Sequence, residues 1–598
     1  MKLAEKRRLR QPSMGTMRRL LRYMKKHTGV LVLCLFLVLI ATFLDLYRPI
    51  LIGDAIDEFI TGDYSPGEAV DERFAGVLRS AALYVVILVG LFVCNRFQYL
   101  LMQKTGQDII YQMRQELFEH VESLTMRFFD LTPVGKIVTR LTNDVEALNE
   151  VFSNMLVRLF RNIVKLLGLA VIMLSLNVRL ALFSFILVPV VAALTVFFRI
   201  IAHSAYQVVR TRLTDLNTYL SEHLSGMKII QLFAQETTKF REFEDKNDDL
   251  YKAGFKEMMI NAIFRPITYF LSVVALVIVI LAGSSSVLAG AISLGTLYVF
   301  IQYISSFFEP IQELAEQLTT LQSAVASAEK IFTLLDEKPL ISDPEHPQSI
   351  APVRGRIEFD HVWFAYNDQG DTPEWVLKDV SFTIEPGQKV AFVGATGAGK
   401  SSILNLIGRY YDIQKGSIRL DGVDIRELDR TEIRRAIGQV QQDVFLFTGD
   451  IASNIRLRDD DISREAMEEA AEEVNAARFI DRLPLRYAEH VTERGSTLSA
   501  GQRQLLSFAR TLAHQPTILV LDEATANIDT ETEEWIQEAV ERLMHGRTTI
   551  MVAHRLSTIQ HADRILVMHH GRIREEGTHQ ELLKMNGLYK KLYELQLQ

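Results

Sequence analysis

Cysteine is nearly absent from these 598 residues: there are two, Cys34 and Cys94, each inside an apolar run. That excludes a disulfide framework and any paired-cysteine metal or redox motif. An excess of positive charge is also missing, since Lys+Arg 65 against Asp+Glu 73 leaves a formal charge of −8. This balance argues against a nucleic-acid partner. Charge of either sign is missing from whole stretches of the first half, and the mean hydropathy is +0.11. Those stretches decide the class.

Thr28–Leu44 is 17 residues without a charge, and Leu46, Tyr47 and Ile50 carry its apolar character onward. At about 1.5 Å per residue this becomes a bilayer span. Ten Lys/Arg precede it, as in a signal peptide, but the run is too long and no small-residue cleavage site follows. Ser80–Asn95 reads as a second span. Leu166–Val178 reads as a third and weaker one, and only Arg179 separates it from a fourth, Leu180–Phe198, as in a tight hairpin. Pro266–Phe308 holds 43 uncharged residues, enough for two spans with a small-residue turn near Gly283–Gly290. Six spans are expected. The tail through Lys26 is basic, whereas Asp54–Glu72 carries seven acids and no Lys or Arg, which places the N-terminus in the cytoplasm.

Roughly 70 residues separate spans two and three, and a similar number spans four and five; both segments carry helical periodicity. Spans two to five are therefore expected to continue as long helices into the cytoplasm. Beyond span six, Pro339, Pro344, Pro347 and Pro352 crowd a charged stretch that cannot hold a helix. The expected organisation is a cytoplasmic segment over 1–27, a transmembrane domain over 28–335, a linker over 336–355 and a soluble α/β domain over 356–598.

The chemistry concentrates in that last domain. Gly394-Ala-Thr-Gly-Ala-Gly-Lys-Ser401 follows the apolar run Lys389–Val393 and precedes an apolar-periodic helix. This is a phosphate-binding loop: Gly394, Thr396, Gly397, Ala398 and Gly399 curl backbone N–H groups around phosphates, Lys400 neutralises them, and Ser401 and Ser402 open the helix, with Ser401 on Mg²⁺. Thr517–Asp522 is an apolar strand ending in acid. Asp522 suits the Mg²⁺ shell, and Glu523 stands where an attacking water must be polarised. A third apolar strand, Thr548–Ala553, delivers His554 to the same kind of position.

Leu498-Ser-Ala-Gly-Gln502 resembles the signature motif of ATP-binding cassette (ABC) proteins, usually Leu-Ser-Gly-Gly-Gln. With it, Tyr366 resembles the aromatic that stacks on adenine, Gln442 the glutamine that reaches Mg²⁺ and senses the membrane domain, Asp529 the D-loop aspartate and His554 the switch histidine. Thr492–Gly495 is similar to the loop by which exporters make cross-contacts. Phe128-Phe-Asp130, Gly135, Arg140 and Asn143-Asp144 resemble their first intracellular loop. The resemblance covers nearly the whole chain. It implies a six-span α-helical membrane domain followed by an α/β P-loop cassette, with ATP and Mg²⁺ bound and Glu523 and His554 catalytic. It also implies a second half-transporter as partner, so that Ser499, Gly501 and Gln502 of one cassette complete the ATP site of the other.

Ala500 departs from the family pattern, which carries Gly there. In heterodimeric exporters one subunit often joins intact Walker residues to an altered signature, so a heterodimer is favoured over a homodimer. The resemblance further implies ATP-driven export from a bacterial inner membrane, with a drug, a lipid or a hydrophobic peptide as cargo. The alternative is a non-transporting ABC regulator that gates a partner by nucleotide state. Within the spans, Asp45 and Arg48 stand at i, i+3 and can pair, and Lys165 is a further intramembrane charge. Phe264, Tyr269, Phe270, Tyr298, Phe300 and Tyr303 are candidates to line a cargo cavity, although packing or lipid contact is the commoner fate of such aromatics.

Overall fold

In hydrocarbon every backbone N–H and C=O must be met within the protein, and uninterrupted apolar runs of this length meet them as helices. The computed structural model describes residues 14–61, 70–367, 373–522, 530–552, 559–560 and 562–597. These fall into two compact units: one holds the chain to Glu337 apart from residues 123–133, and the other holds that short segment together with Lys338 onward.

The first unit is helical. An amphipathic helix α1 (Met14–Met24) precedes α2 (Thr28–Ala55) and the 54-residue α3 (Val70–Ser123). A short α4 (Met126–Leu131) is followed by α5 (Val134–Thr139), α6 (Val145–Glu150) and α7 (Leu156–Leu176), joined without a break through π-helical turns at Arg140–Asp144 and Val151–Met155. Then come α8 (Val178–Phe185), α9 (Val188–Ser225), α10 (Met227–Leu232), the 53-residue α11 (Glu236–Leu288) and α12 (Leu294–Leu335). At about 1.5 Å per residue α3 is some 80 Å long, against the roughly 30 Å of hydrocarbon that a bilayer offers. The hairpin between spans three and four turns at Asn177 rather than Arg179: Asn177 is extended and its side chain accepts from Leu180 N.

Among the described residues, five helical stretches are long and apolar enough to cross a membrane: Gly15–Ile60, Val70–Ser123, Val134–Leu176, Val178–Ser225 and Glu236–Leu288. Helix α12 packs among them, but Gln302, Ser305 and Glu309 dilute its apolar half. Outward-facing Phe36, Phe43, Phe92 and Leu281 remain exposed, as lipid contact requires. Helix α1 is tied to the far end of α12. Arg19 Nη1 donates to both Asp336 oxygens at 2.9 and 2.7 Å and its guanidinium lies over Phe332, while Tyr23 Oη donates to Glu116 at 2.8 Å.

The second unit is α/β. An antiparallel sheet of order β2-β1-β4-β5 is built from β1 (Ile357–Phe364), β2 (Leu377–Ile384), β4 (Lys415–Leu420) and β5 (Val423–Asp424). Strands β7 (Gly449–Asp450) and β8 (His490–Val491) pair apart from a six-stranded sheet of order β12-β11-β3-β10-β9-β6, which comprises β3 (Lys389–Val393), β6 (Ile437–Val440), β9 (Ile518–Asp522), β10 (Thr548–Val552), β11 (Arg564–His569) and β12 (Arg572–Gly577). All but β12 run parallel, and β3, β9 and β10 are buried along almost their whole length, as a sheet covered on both faces demands. Helix α13 (Lys400–Ile407) packs into the core shared by the two sheets. Helix α14 (Arg430–Ala436) belongs to the same layer, and α15 (Ile451–Arg456), α16 (Arg464–Glu473), α17 (Ala477–Ile480) and α18 (Ala500–Ala513) form a helical layer on the larger sheet with α19 (Thr530–Met544). The proline-rich linker is pinned at both ends. Asp343 accepts from Arg430 Nε and Nη2 at 2.9 and 3.0 Å, and Asp421 accepts from the backbone N–H groups of Arg354, Gly355 and Arg356.

Candidate functional site

The parallel strands present their carboxyl ends along one edge, where ligands of α/β sheets bind. Val552 of β10 stands opposite Phe392 of β3 on one side and Asp522 of β9 on the other, while Val440 of β6 faces Leu521. The carboxyl ends of β3, β10, β9 and β6 therefore lie side by side, in an order unlike their order in the chain. Three sequence motifs meet there: the glycine-rich loop after β3, the acid Asp522 closing β9, and Gln442 just beyond β6.

The loop is shaped for an anion. Gly397 and Gly399 take φ of +79° and +101°, where a Cβ is strained, and a Cβ on Gly394 would lie 2.3 Å from Met568 O. The backbone can thus curl tightly while Ala395, Thr396 and Gly397 stay exposed; Ala398 and Gly399 are buried beneath them. Lys400, 6% exposed, folds its Nζ back onto Gly394 O at 2.6 Å and Ala395 O at 3.2 Å. An ammonium held by carbonyls above the N-terminus of α13 is a ready counter-charge for phosphate. Ser401 follows, exposed, and Ser402 is buried and hydrogen-bonded to Tyr366 Oη at 3.0 Å, which also accepts from Asn405 at 3.3 Å. Tyr366 is thereby fixed beside α13 with its ring partly open to solvent. The residues present fit a nucleotide and a hard cation: Ser401, Gln442 and Asp522 supply oxygen donors, the type Mg²⁺ takes.

Ser499, Gly501 and Gln502 lie elsewhere. Ser499 caps α18 reciprocally: its Oγ accepts from Gln502 N at 3.2 Å, and Gln502 Oε1 accepts from Ser499 N at 2.9 Å. Among the described residues no hydrogen bond joins this turn to the glycine-rich loop. Glu523, Asp529 and His554 lie outside the described residues.

The family model described as ABC transporter transmembrane region matches residues 31–311, and that described as ABC transporter matches residues 377–526. The chain is 37% identical over 595 residues to an uncharacterized ABC transporter ATP-binding protein, YfiC, of Bacillus subtilis, covering 100% of this chain and 96% of the relative.

This chain belongs to the ABC transporter family.

Among other relatives, a probable multidrug resistance ABC transporter ATP-binding/permease protein of B. subtilis is 40% identical over 87% of this chain and 77% of its own length. An ATP-dependent lipid A-core flippase of Syntrophus aciditrophicus is 34% identical over 98% and 95%. As an ABC exporter with its membrane domain and cassette fused, the chain couples ATP hydrolysis to transport.

Sequence reasoning missed residues that act through contacts distant in the chain. Tyr411 packs edge-on against Tyr366, ring centroids 5.0 Å apart, and its hydroxyl donates to Asp130 in the 123–133 segment. Burial, with Asp130 beside it, pushes the Tyr411 hydroxyl far above the ordinary phenol range. In the membrane helices Asp45 does pair with Arg48, but it also binds Lys165 Nζ at 3.2 Å. Glu313 accepts from Asn162 at 2.8 Å with Arg161 at 4.0 Å. Glu309 and Glu313 escaped notice because they directly follow the uncharged run and read as its end. Of the six candidate aromatics, Phe264 and Tyr269 line a cavity of about 980 Å³ between α9, α11 and α12. Phe300 and Tyr303 are core residues, 0% and 1% exposed, and Phe270 faces outward.

Proposed function

We propose that the chain is one half of a dimeric exporter that moves a hydrophobic or amphipathic molecule across a bacterial inner membrane, with its N-terminus and cassette on the cytoplasmic side. The carrying observation is that one chain joins the phosphate cradle around Lys400 to membrane helices enclosing a cavity lined by Phe198, Phe264, Tyr269 and Phe308. Relatives named for multidrug resistance, fatty acid transport and lipid A-core flipping support an apolar or amphipathic cargo.

In this reading Gly394, Thr396, Gly397, Ala398, Gly399, Lys400 and Ser402 hold the phosphates of ATP and Tyr366 stacks on its base. Ser401, Gln442 and Asp522 would hold Mg²⁺, which when bound neutralises phosphate charge. Glu523 accepts the proton of the attacking water, and His554 and Asp529 order the γ-phosphate side. Ser499, Gly501 and Gln502, at the start of α18, serve the ATP of the partner cassette. Because ATP favours the paired cassettes, its binding shifts the membrane helices toward an outward-open cavity, and hydrolysis resets them. Ala500 favours a heterodimer, in which this chain contributes Glu523 to the competent site.

ATP turnover of the chain purified alone, with its native mass, tests this. Turnover lost in Glu523→Gln and present in the wild-type dimer supports a homodimer. A chain that binds ATP but scarcely hydrolyses it supports the heterodimer, and Ala500→Gly should then raise turnover severalfold. Turnover undiminished in Glu523→Gln would remove Glu523 from the catalytic role.

A further inference from the structure

Ionisable side chains are costly within membrane helices and mark function by default. Here they enclose a chamber of about 410 Å³ bounded by α2, α3, α7 and α12, within the size range of small-molecule sites. Its charges balance but are segregated. Arg48 of α2 and Arg161 and Lys165 of α7 supply the basic side; Glu309 and Glu313 of α12 supply the acidic side, with Asp45 between them, bound to Arg48 and Lys165. Each side keeps unmet capacity. Thr42, 4% exposed, has no hydrogen-bond partner for Oγ1, and Arg48 Nε is likewise buried without one. Across the chamber, Glu309 has neither an ion pair nor a hydrogen bond among the described residues. Pro49 lacks the N–H that would meet the carbonyl of Asp45, itself a lining residue, which leaves one more acceptor beside the chamber.

Glu309 also lines the 980 Å³ cavity, which continues along α12 through Ser305, Gln312 and Glu316. At about 100° per residue, these positions and the Pro310–Glu313 face are adjacent, and Glu309 lies on the ridge between them. A polar chamber with spare donors at one end and a spare carboxylate at the other therefore opens beside an aromatic-lined cavity.

We propose that this chamber binds the headgroup of a zwitterionic amphiphile, its acidic group toward Thr42 and Arg48, its ammonium on Glu309, and its apolar part in the larger cavity. A cargo with one charge alone engages either the donors or the carboxylate, and only a headgroup carrying both charges engages both. The inference rests on the exporter reading, since it names that reading's cargo class.

The test is direct binding to the full chain in a nonionic detergent, using fluorescent single-chain amphiphiles with one tail and four heads: phosphocholine, phosphoglycerol, trimethylammonium and maltoside. The phosphocholine probe should bind about tenfold or more tighter than the rest. Glu309→Gln should reduce it to the level of the phosphoglycerol probe while leaving the maltoside probe within about twofold. Thr42→Val, nearly isosteric and so safe for folding, should weaken both phosphate-bearing probes and spare the trimethylammonium one. Equal affinity for all heads, or equal losses in both variants, would overturn the proposal. ATP turnover in the same preparation reads the exporter assignment separately: head selectivity with no probe altering Glu523-dependent turnover retains the chamber and sinks the cargo assignment.

Discussion

The two units put most of their glycines to different uses. In the membrane helices glycine brings backbones together: a Cβ on Gly295 would lie 2.0 Å from Gly53 O, and one on Gly168 2.4 Å from the Leu46 side chain. In the cassette it supplies left-handed backbone, as at Gly397 and Gly399. The same contrast holds for other residues. Among the described residues only Ala234 in the helical unit takes a positive φ without being glycine, whereas His361, Asp379, Arg409, Asp421 and several more do so in the cassette. Spans must meet their own hydrogen bonds and have one backbone conformation available. The cassette, open to water at its turns, varies its backbone freely and builds its site from loops. Its site is accordingly a backbone curled by glycine with side chains such as Lys400 set upon it, while that of the membrane unit is carried by side chains projecting from regular helices.

This contrast predicts where substitutions act. The largest effect falls on the cassette: Lys400→Ala should lower ATP turnover by about a hundredfold or more, as losing a charged transition-state contact does elsewhere. Its Nζ donates to the loop carbonyls of Gly394 and Ala395 rather than to another strand or helix backbone in those two bonds, and far-UV circular dichroism should be unchanged. An unfolded variant would show instead that Lys400 is structural.

Next, Gly295→Val should destabilise the membrane unit by about 1–3 kcal/mol through overpacking against Gly53. The thermal midpoint of the purified protein should fall while nucleotide affinity holds. Equal loss of nucleotide affinity would erase the distinction between the units.

Asp45→Asn strands Arg48 and Lys165. Because these groups are about a fifth to a third exposed, the cost should be about 1–2 kcal/mol, less than for a fully buried pair. Asp45→Asn with Lys165→Met should recover part of it, which a double-mutant cycle measures. The smallest effect is Tyr411→Phe, which removes one hydrogen bond to Asp130 at about 1 kcal/mol. ATP affinity should be nearly unchanged and protease cleavage near residues 123–133 faster; unchanged cleavage would mean that the bond does not hold the segment.

Much of the architecture was legible beforehand because its signals are local. Uncharged runs identify spans, and Gly394–Ser401 identifies a phosphate loop, since each requirement is met within a few neighbouring residues. That α3 runs on past its apolar run to Ser123 followed from uninterrupted helix formers there. Less legible was which aromatics face a cavity: Phe264 and Phe300 look alike in sequence, yet one lines the space beside α12 and the other is wholly buried. Helical rotation relative to neighbours separates them, and no short window records it.

By itself, then, the sequence determined the membrane helices, the α/β cassette and the residue types for binding ATP, because hydrophobic run length and loop glycines act over a handful of positions. Only the tertiary structure decided that β3, β10, β9 and β6 end side by side, that Tyr411 joins Tyr366 to Asp130, and that six charges from α2, α7 and α12 surround one chamber. Strand order and helix packing bring together residues remote in the chain, and electrostatic and hydrogen-bond energies depend on separations in space rather than along the chain.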